Sequence, residues 1–126
     1  MKEGLWWICV RFIFIFIIII HFINIAAMDN VQQRASIFVK GKVQGVFMRK
    51  YTQEKARGLG LSGWCRNIRA GKKAGQVEIE AQGPAHDVQA LLDWINAGGS
   101  PGATVDEVLV TFIAPVENES DFIIRK

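Results

Sequence analysis

Cysteine and histidine are scarce in this chain, with two of each in 126 residues. Cys9 and Cys65 lie in segments of different character, which excludes a disulfide scaffold and a Cys-rich zinc site. His21 sits inside an apolar run and His86 stands alone further on, so no metal site is expected from the ligand inventory. Excess charge of one sign is also missing. Fifteen Lys and Arg against twelve Asp and Glu leave +3, too little to argue for nucleic acid by itself. There are no internal repeats, and no low-complexity tract beyond the N-terminus. The length suits one domain.

What is present divides sharply. Leu5–Ala27 holds 20 apolar residues in 23, broken only by Arg11, His21 and Asn24. As one helix it would be about 34 Å long, enough to cross a bilayer core. Residues 1–27 are therefore expected to be a hydrophobic extension, either a membrane anchor or the product of a wrongly chosen start before Met28. A secretory signal fits less well, because no A-x-A site precedes Met28. Lys2 and Arg11 lie on one side and Arg34, Lys40 and Lys42 on the other, a balance that favours the following domain in the cytoplasm if the run is an anchor. Residues 28–126 have mixed charge and recurrent Val, Ile, Leu, Phe and Trp, and can bury a single core.

Hydrophobic periodicity orders that second segment. Ala35–Lys40 reads as a strand with Ile37 and Val39 on one face. From Val46 the pattern turns helical, with Phe47 and Tyr51 as an i,i+4 pair and Ala56 and Leu59 near that face, until Gly58 and Gly60. Leu61–Ile68 is a second strand, Arg69–Gly75 a hairpin turn, and Gln76–Gln82 a third strand with Val77, Ile79 and Ala81 inward. Pro84 suits the first turn of a second helix whose apolar stripe is Val88, Leu91, Leu92 and Ile95. Val105–Phe112, with Val108, Val110 and Phe112 on one side, and Phe122–Ile124 are the last strands. The order β-α-β-β-α-β predicts an α+β, ferredoxin-like sandwich, an antiparallel sheet with two helices on one face.

Chemistry is expected at the first helix. Gly41-Lys42-Val43-Gln44-Gly45-Val46 is a glycine-bracketed loop entering a helix N-terminus, where turned N–H groups and the helix dipole favour an anion. A plain strand-to-helix turn would have the same spacing. Arg49 lies in the first turn, where a cation is unfavourable unless an anion sits between it and the dipole. Its planar fork suits two oxygens of one phosphate; the bland alternative is a solvated arginine. Period two puts Asn67 on the face of Cys65, opposite Trp64 and Arg66, and so near Arg49. Its amide can hold a water near a bound anion, or simply bond its own hairpin.

These residues stand in two long motifs. Val39-Lys40-Gly41-Lys42-Val43-Gln44-Gly45-Val46-Phe47-Met48-Arg49 closely resembles the N-terminal signature of acylphosphatases, and Leu59-Gly60-Leu61-Ser62-Gly63-Trp64-Cys65-Arg66-Asn67 resembles their second. Gly83-Pro84, Gly99-Ser100-Pro101-Gly102 and the closing Phe122-Ile123-Ile124-Arg125 extend the similarity over about residues 34–126. The resemblance implies hydrolysis of an acyl phosphate to a carboxylate and inorganic phosphate. It implies that Arg49 binds the phosphate, that Asn67 orients the attacking water, and that Gln44, Gly45, Val46, Phe47 and Met48 form the phosphate loop. It further implies no metal, no cofactor and no phospho-enzyme. Met48 and Cys65 replace the family's usual Phe and Val, and Cys65 is expected to be a core residue and not a nucleophile.

The expected partner is a small-molecule acyl phosphate, with no nucleic acid, and with a membrane only if residues 1–27 are translated. A cytoplasmic monomer is expected, a single-pass anchored domain being the alternative. An RNA-binding module shares the element order, but the third strand turns Glu78 and Glu80 outward and offers no aromatic residue for stacking. An anion-binding domain without turnover is the other rival. Asn118-Glu119-Ser120 is read as a chance glycosylation triplet, His86 and Trp94 as partly buried, and Arg66, Arg69, Lys72 and Lys73 as a solvated edge and turn.

Overall fold

A computed structural model describes residues 10–22 and 31–126. The chain divides into two units, Met1–Asn30 and Val31–Lys126. In the first, residues 10–22 form a helix, α1, which at 1.5 Å per residue is about 20 Å long. Among the described residues no helix is long and apolar enough to cross a membrane. The remainder of the Leu5–Ala27 run lies outside the described residues.

The second unit runs β1 (Gln32–Lys42), α2 (Met48–Gly58), β2 (Ser62–Asn67), β3 (Val77–Pro84), α3 (Ala85–Asn96), β4 (Thr104–Ile113) and β5 (Phe122–Ile124). The sheet order is β4-β1-β3-β2-β5. Every pairing is antiparallel except β2 with β5, which is parallel. This is the ferredoxin-like α+β fold with one added edge strand. Ala35, Ile37 and Val39 of β1 and Val77, Ile79 and Ala81 of β3 turn to one face, where the Val88, Leu91, Leu92 and Ile95 stripe of α3 covers them. All six strand residues are fully buried.

Three expectations change. The core face of α2 is Met48, Thr52 and Ala56, while Phe47 and Tyr51 are exposed. Phe47 is not inside the helix but caps it at φ 58°, and this left-handed turn rotates the apolar face by one residue. Phe112 shares a strand face with Val108 and Val110, yet it is exposed because β4 is an edge strand. His86 is likewise exposed, close to Asp87.

The helix-free face is less wet than alternation suggests. The β4–β5 connection is held across it by Gln82, which donates from Nε2 to the Val116 carbonyl and accepts from the Val116 N–H. Arg34 is thereby buried, 2% exposed, between Glu80 at 2.8 Å and Glu119 at 2.8 Å. Trp64 lies beneath the guanidinium groups of Arg66 and Arg125. Lys73 of the hairpin turn rests on the Phe38 ring, and Arg66 pairs with Glu78 across the strands.

Candidate active site

The loop between β1 and α2 carries its own geometry. Gly45 (φ 73°) and Phe47 (φ 58°) both adopt the left-handed region, which glycine enters freely and phenylalanine does not. The first helical bond of α2 runs from the Tyr51 N–H to the Phe47 carbonyl. No side chain caps the helix. The N–H groups of Met48, Arg49 and Lys50 are therefore the orphan donors that any helix start leaves. Those of Gly45, Val46 and Phe47 also donate to no backbone carbonyl among the described residues. Six consecutive donors stand together without a backbone acceptor.

Neighbouring elements hold this loop in place. Gln44 donates from Nε2 to the carbonyls of Ile68 and Gln76, both at 2.9 Å, which staples the loop to the neck of the β2–β3 hairpin. Its side chain is thus committed to structure. Buried Ser100 donates to the Val46 carbonyl at 3.0 Å from the α3–β4 turn. Gly99 packs on Met48 so closely that a Cβ there would lie 2.6 Å from Met48 Cε. Neither brace was legible beforehand. The glycines and proline of residues 98–102 mark the end of α3, and periodicity says nothing about which loop the turn then meets.

A cleft of about 280 Å³ opens at this loop, lined by Val43, Gly45, Phe47, Met48, Arg49, Lys50, Asn67 and Ile124. It brings Arg49 and Asn67 together. Gln44 and Val46 are not among its lining residues. The Arg49 guanidinium has no hydrogen-bond or ion-pair partner among the described residues. Lys50 follows it, and the first turn of α2 contains no acid at all. Two cations at the positive end of a helix dipole oppose it, so the turn is electrostatically arranged for something other than helix stability. The Asn67 Oδ1 is buried and accepts no hydrogen bond. Leaving such an acceptor unmet costs about 1–3 kcal/mol.

Cys65 lies beneath the helix, where its thiol donates to the Arg49 carbonyl at 3.6 Å. Burial pushes this thiol up to about 12, against the opposing pull of the Arg49 charge. It stays protonated at neutral pH and is no nucleophile. Ile124 was not foreseen at the cleft. It arrives on β5, which Phe122 anchors in the core and which Gln53 and Arg57 of α2 tie through the Phe122 carbonyl and Asp121. Among the described residues there is no group of three or more His, Cys, Asp or Glu able to hold a metal ion.

Comparison with known proteins follows the same residues. The acylphosphatase family model matches residues 35–124. The acylphosphatase of Haloquadratum walsbyi is 40% identical over 99 residues, covering 79% of this chain and 100% of the relative. Acylphosphatase-1 of Gallus gallus is 47% identical over 91 residues, covering 70% and 87%. The solved acylphosphatase from Coxiella burnetii superposes with a TM-score of 0.67 at 38% identity, covering 76% of this chain and 94% of that one. The chain belongs to the acylphosphatase family, hydrolases that split an acyl phosphate into a carboxylate and inorganic phosphate.

Proposed function

We propose that Arg49 and Asn67 carry this hydrolysis, Arg49 as the phosphate-binding cation and Asn67 as the group that aims the water. The phosphoryl oxygens sit against the N–H groups of the Gln44–Arg49 loop and the Arg49 fork. Water attacks phosphorus as the bond to the acyl oxygen breaks, so the carboxylate leaves with its electron pair and the water proton ends on phosphate. Charge on the three equatorial oxygens is met by fixed donors, which need no reorganisation during the step. A carboxylate is a good leaving group, so the water needs orientation more than deprotonation. An amide is adequate for that role. The observation that carries this reading is that Arg49, whose guanidinium has no partner among the described residues, and Asn67, whose Oδ1 accepts no hydrogen bond, line one cleft.

Asn67→Ala tests it. The kcat on a synthetic acyl phosphate should fall about a hundredfold, while the inhibition constant for inorganic phosphate stays close to wild type. Thermal stability should not fall, since removing an unmet buried acceptor costs little. Equal loss of rate and phosphate affinity would instead make Asn67 an anion ligand. Phosphate binding without turnover in the wild-type chain would favour the non-catalytic rival.

We further infer that residues 28–126 form the working unit, that it acts as a monomer, and that it lies in the cytoplasm. If the apolar run is an anchor, Arg34, Lys40 and Lys42 on one side against Lys2 and Arg11 on the other favour the domain on the cytoplasmic side. Whether residues 1–27 are translated as an anchor is answered by mass spectrometry of the native N-terminus.

A further inference from the structure

Once the loop donors and Arg49 are assigned to the phosphoryl group, the rest of the cleft lining is mostly apolar. Val43 and Met48 are buried and form its floor. Phe47 and Ile124 line it while remaining 72% and 39% exposed. They come from separate segments, one from the β1–α2 loop and one from the added edge strand. Neither position is casual. Phe47 holds a large ring in solvent on a left-handed backbone, a conformation that Gly or Asn would adopt with less strain. Folding gains little from that ring, because most of it stays wet. Ile124 sits on a three-residue strand pinned by Phe122, Gln53 and the Arg57–Asp121 pair. Two exposed apolar side chains lining the same cleft as the proposed anion site fit a ligand with an anionic head and an apolar body.

From this we infer that Phe47 and Ile124 form an acyl-group subsite, and that the chain selects acyl phosphates with an aromatic or bulky apolar acyl group over small or charged ones. The inference rests on the catalytic site proposed above. Lys50, at the same cleft, would favour the opposite choice, a substrate with a second negative charge, and so supplies the competing outcome.

The test compares kcat/KM of the full chain for benzoyl phosphate, acetyl phosphate and succinyl monophosphate. Ratios in the variants Ile124→Thr and Phe47→Asn control for the differing intrinsic reactivity of the three compounds. Threonine keeps the branching that suits β5, and asparagine tolerates φ 58°. The benzoyl-to-acetyl ratio should fall about threefold or more in each variant, and about tenfold in the double variant, the change appearing in KM. Hydrolysis with an unchanged ratio in both variants overturns this inference and leaves the catalytic site standing. A preference for succinyl monophosphate that disappears in Lys50→Gln also overturns it. Failure to hydrolyse all three overturns both readings.

Discussion

Arg34 and Arg49 belong to the same small domain and meet opposite circumstances. Arg34 is 2% exposed on the helix-free sheet face, with Glu80, Gln82 and Glu119 all within hydrogen-bond distance. Arg49 lines an open cleft at a helix start and pairs with nothing among the described residues. A buried cation must be matched inside the protein, or its desolvation would undo the fold. A cation left unmatched beside orphan N–H donors is free to be matched by a bound anion. One arginine serves the structure and the other is the one we propose serves a ligand, and the difference lies in their partners rather than in their chemistry.

The two helix starts repeat the contrast. α3 begins after Pro84 with Asp87 in its first turn, as the dipole favours. α2 begins with Arg49 and Lys50 and no acid.

Substitutions can break or sharpen these comparisons. The largest expected effect is in catalysis. Arg49→Ala should lower kcat/KM by about 10²–10³-fold, and Arg49→Lys should recover little, because the fork is lost. In phosphate-free buffer the same Arg49→Ala variant should unfold no more easily than wild type, and should gain about 0.3–1 kcal/mol if the dipole argument holds. Arg34→Ala should do the reverse. It leaves Glu80 and Glu119 facing one another and should cost about 3–5 kcal/mol in denaturant unfolding, with the kcat/KM of the folded fraction nearly unchanged. Similar destabilisation by the two alanine variants would end the distinction.

Acid sharpens the comparison further. Burial by itself would raise the Glu119 carboxyl, but hydrogen bonds from Arg34 and Ser62 and the Arg34 charge outweigh it and hold the group below its ordinary value. A depressed folded value means that the stabilisation is complete above the unfolded carboxylate range, near about pH 4.3. It is then lost as pH falls toward the lower folded value. Urea midpoints between about pH 5 and about pH 3 should fall more steeply for wild type than for Glu119→Gln. The smallest expected effect is at α3. Asp87→Ala should lower stability by about 0.3–1 kcal/mol, opposite in sign to Arg49→Ala, and leave hydrolysis unchanged.

Much of this was legible in the chain. The strict alternation of Gln76–Gln82 and the Val88, Leu91, Leu92, Ile95 stripe announced their buried faces, because a strand of period two and a helix of period 3.6 leave little choice of orientation. Arg49 stood out as a cation in a first turn, and Asn67 as a polar residue in register with Cys65. The Phe47–Tyr51 pair misled for a local reason. Two left-handed residues in the loop shift the helix start, and side-chain periodicity carries no information about φ.

The residues alone determined the order of elements, the two apolar faces of the core and a glycine-bracketed loop leading into a helix start, since these depend on neighbours in sequence. Only the tertiary structure decided which arginine would be neutralised. It also decided that the residue 98–102 turn would brace the β1–α2 loop, and that β5 would bring Ile124 into the lining of the cleft. Those outcomes depend on contacts between segments tens of residues apart, and such contacts exist only after the sheet has set their distance and direction.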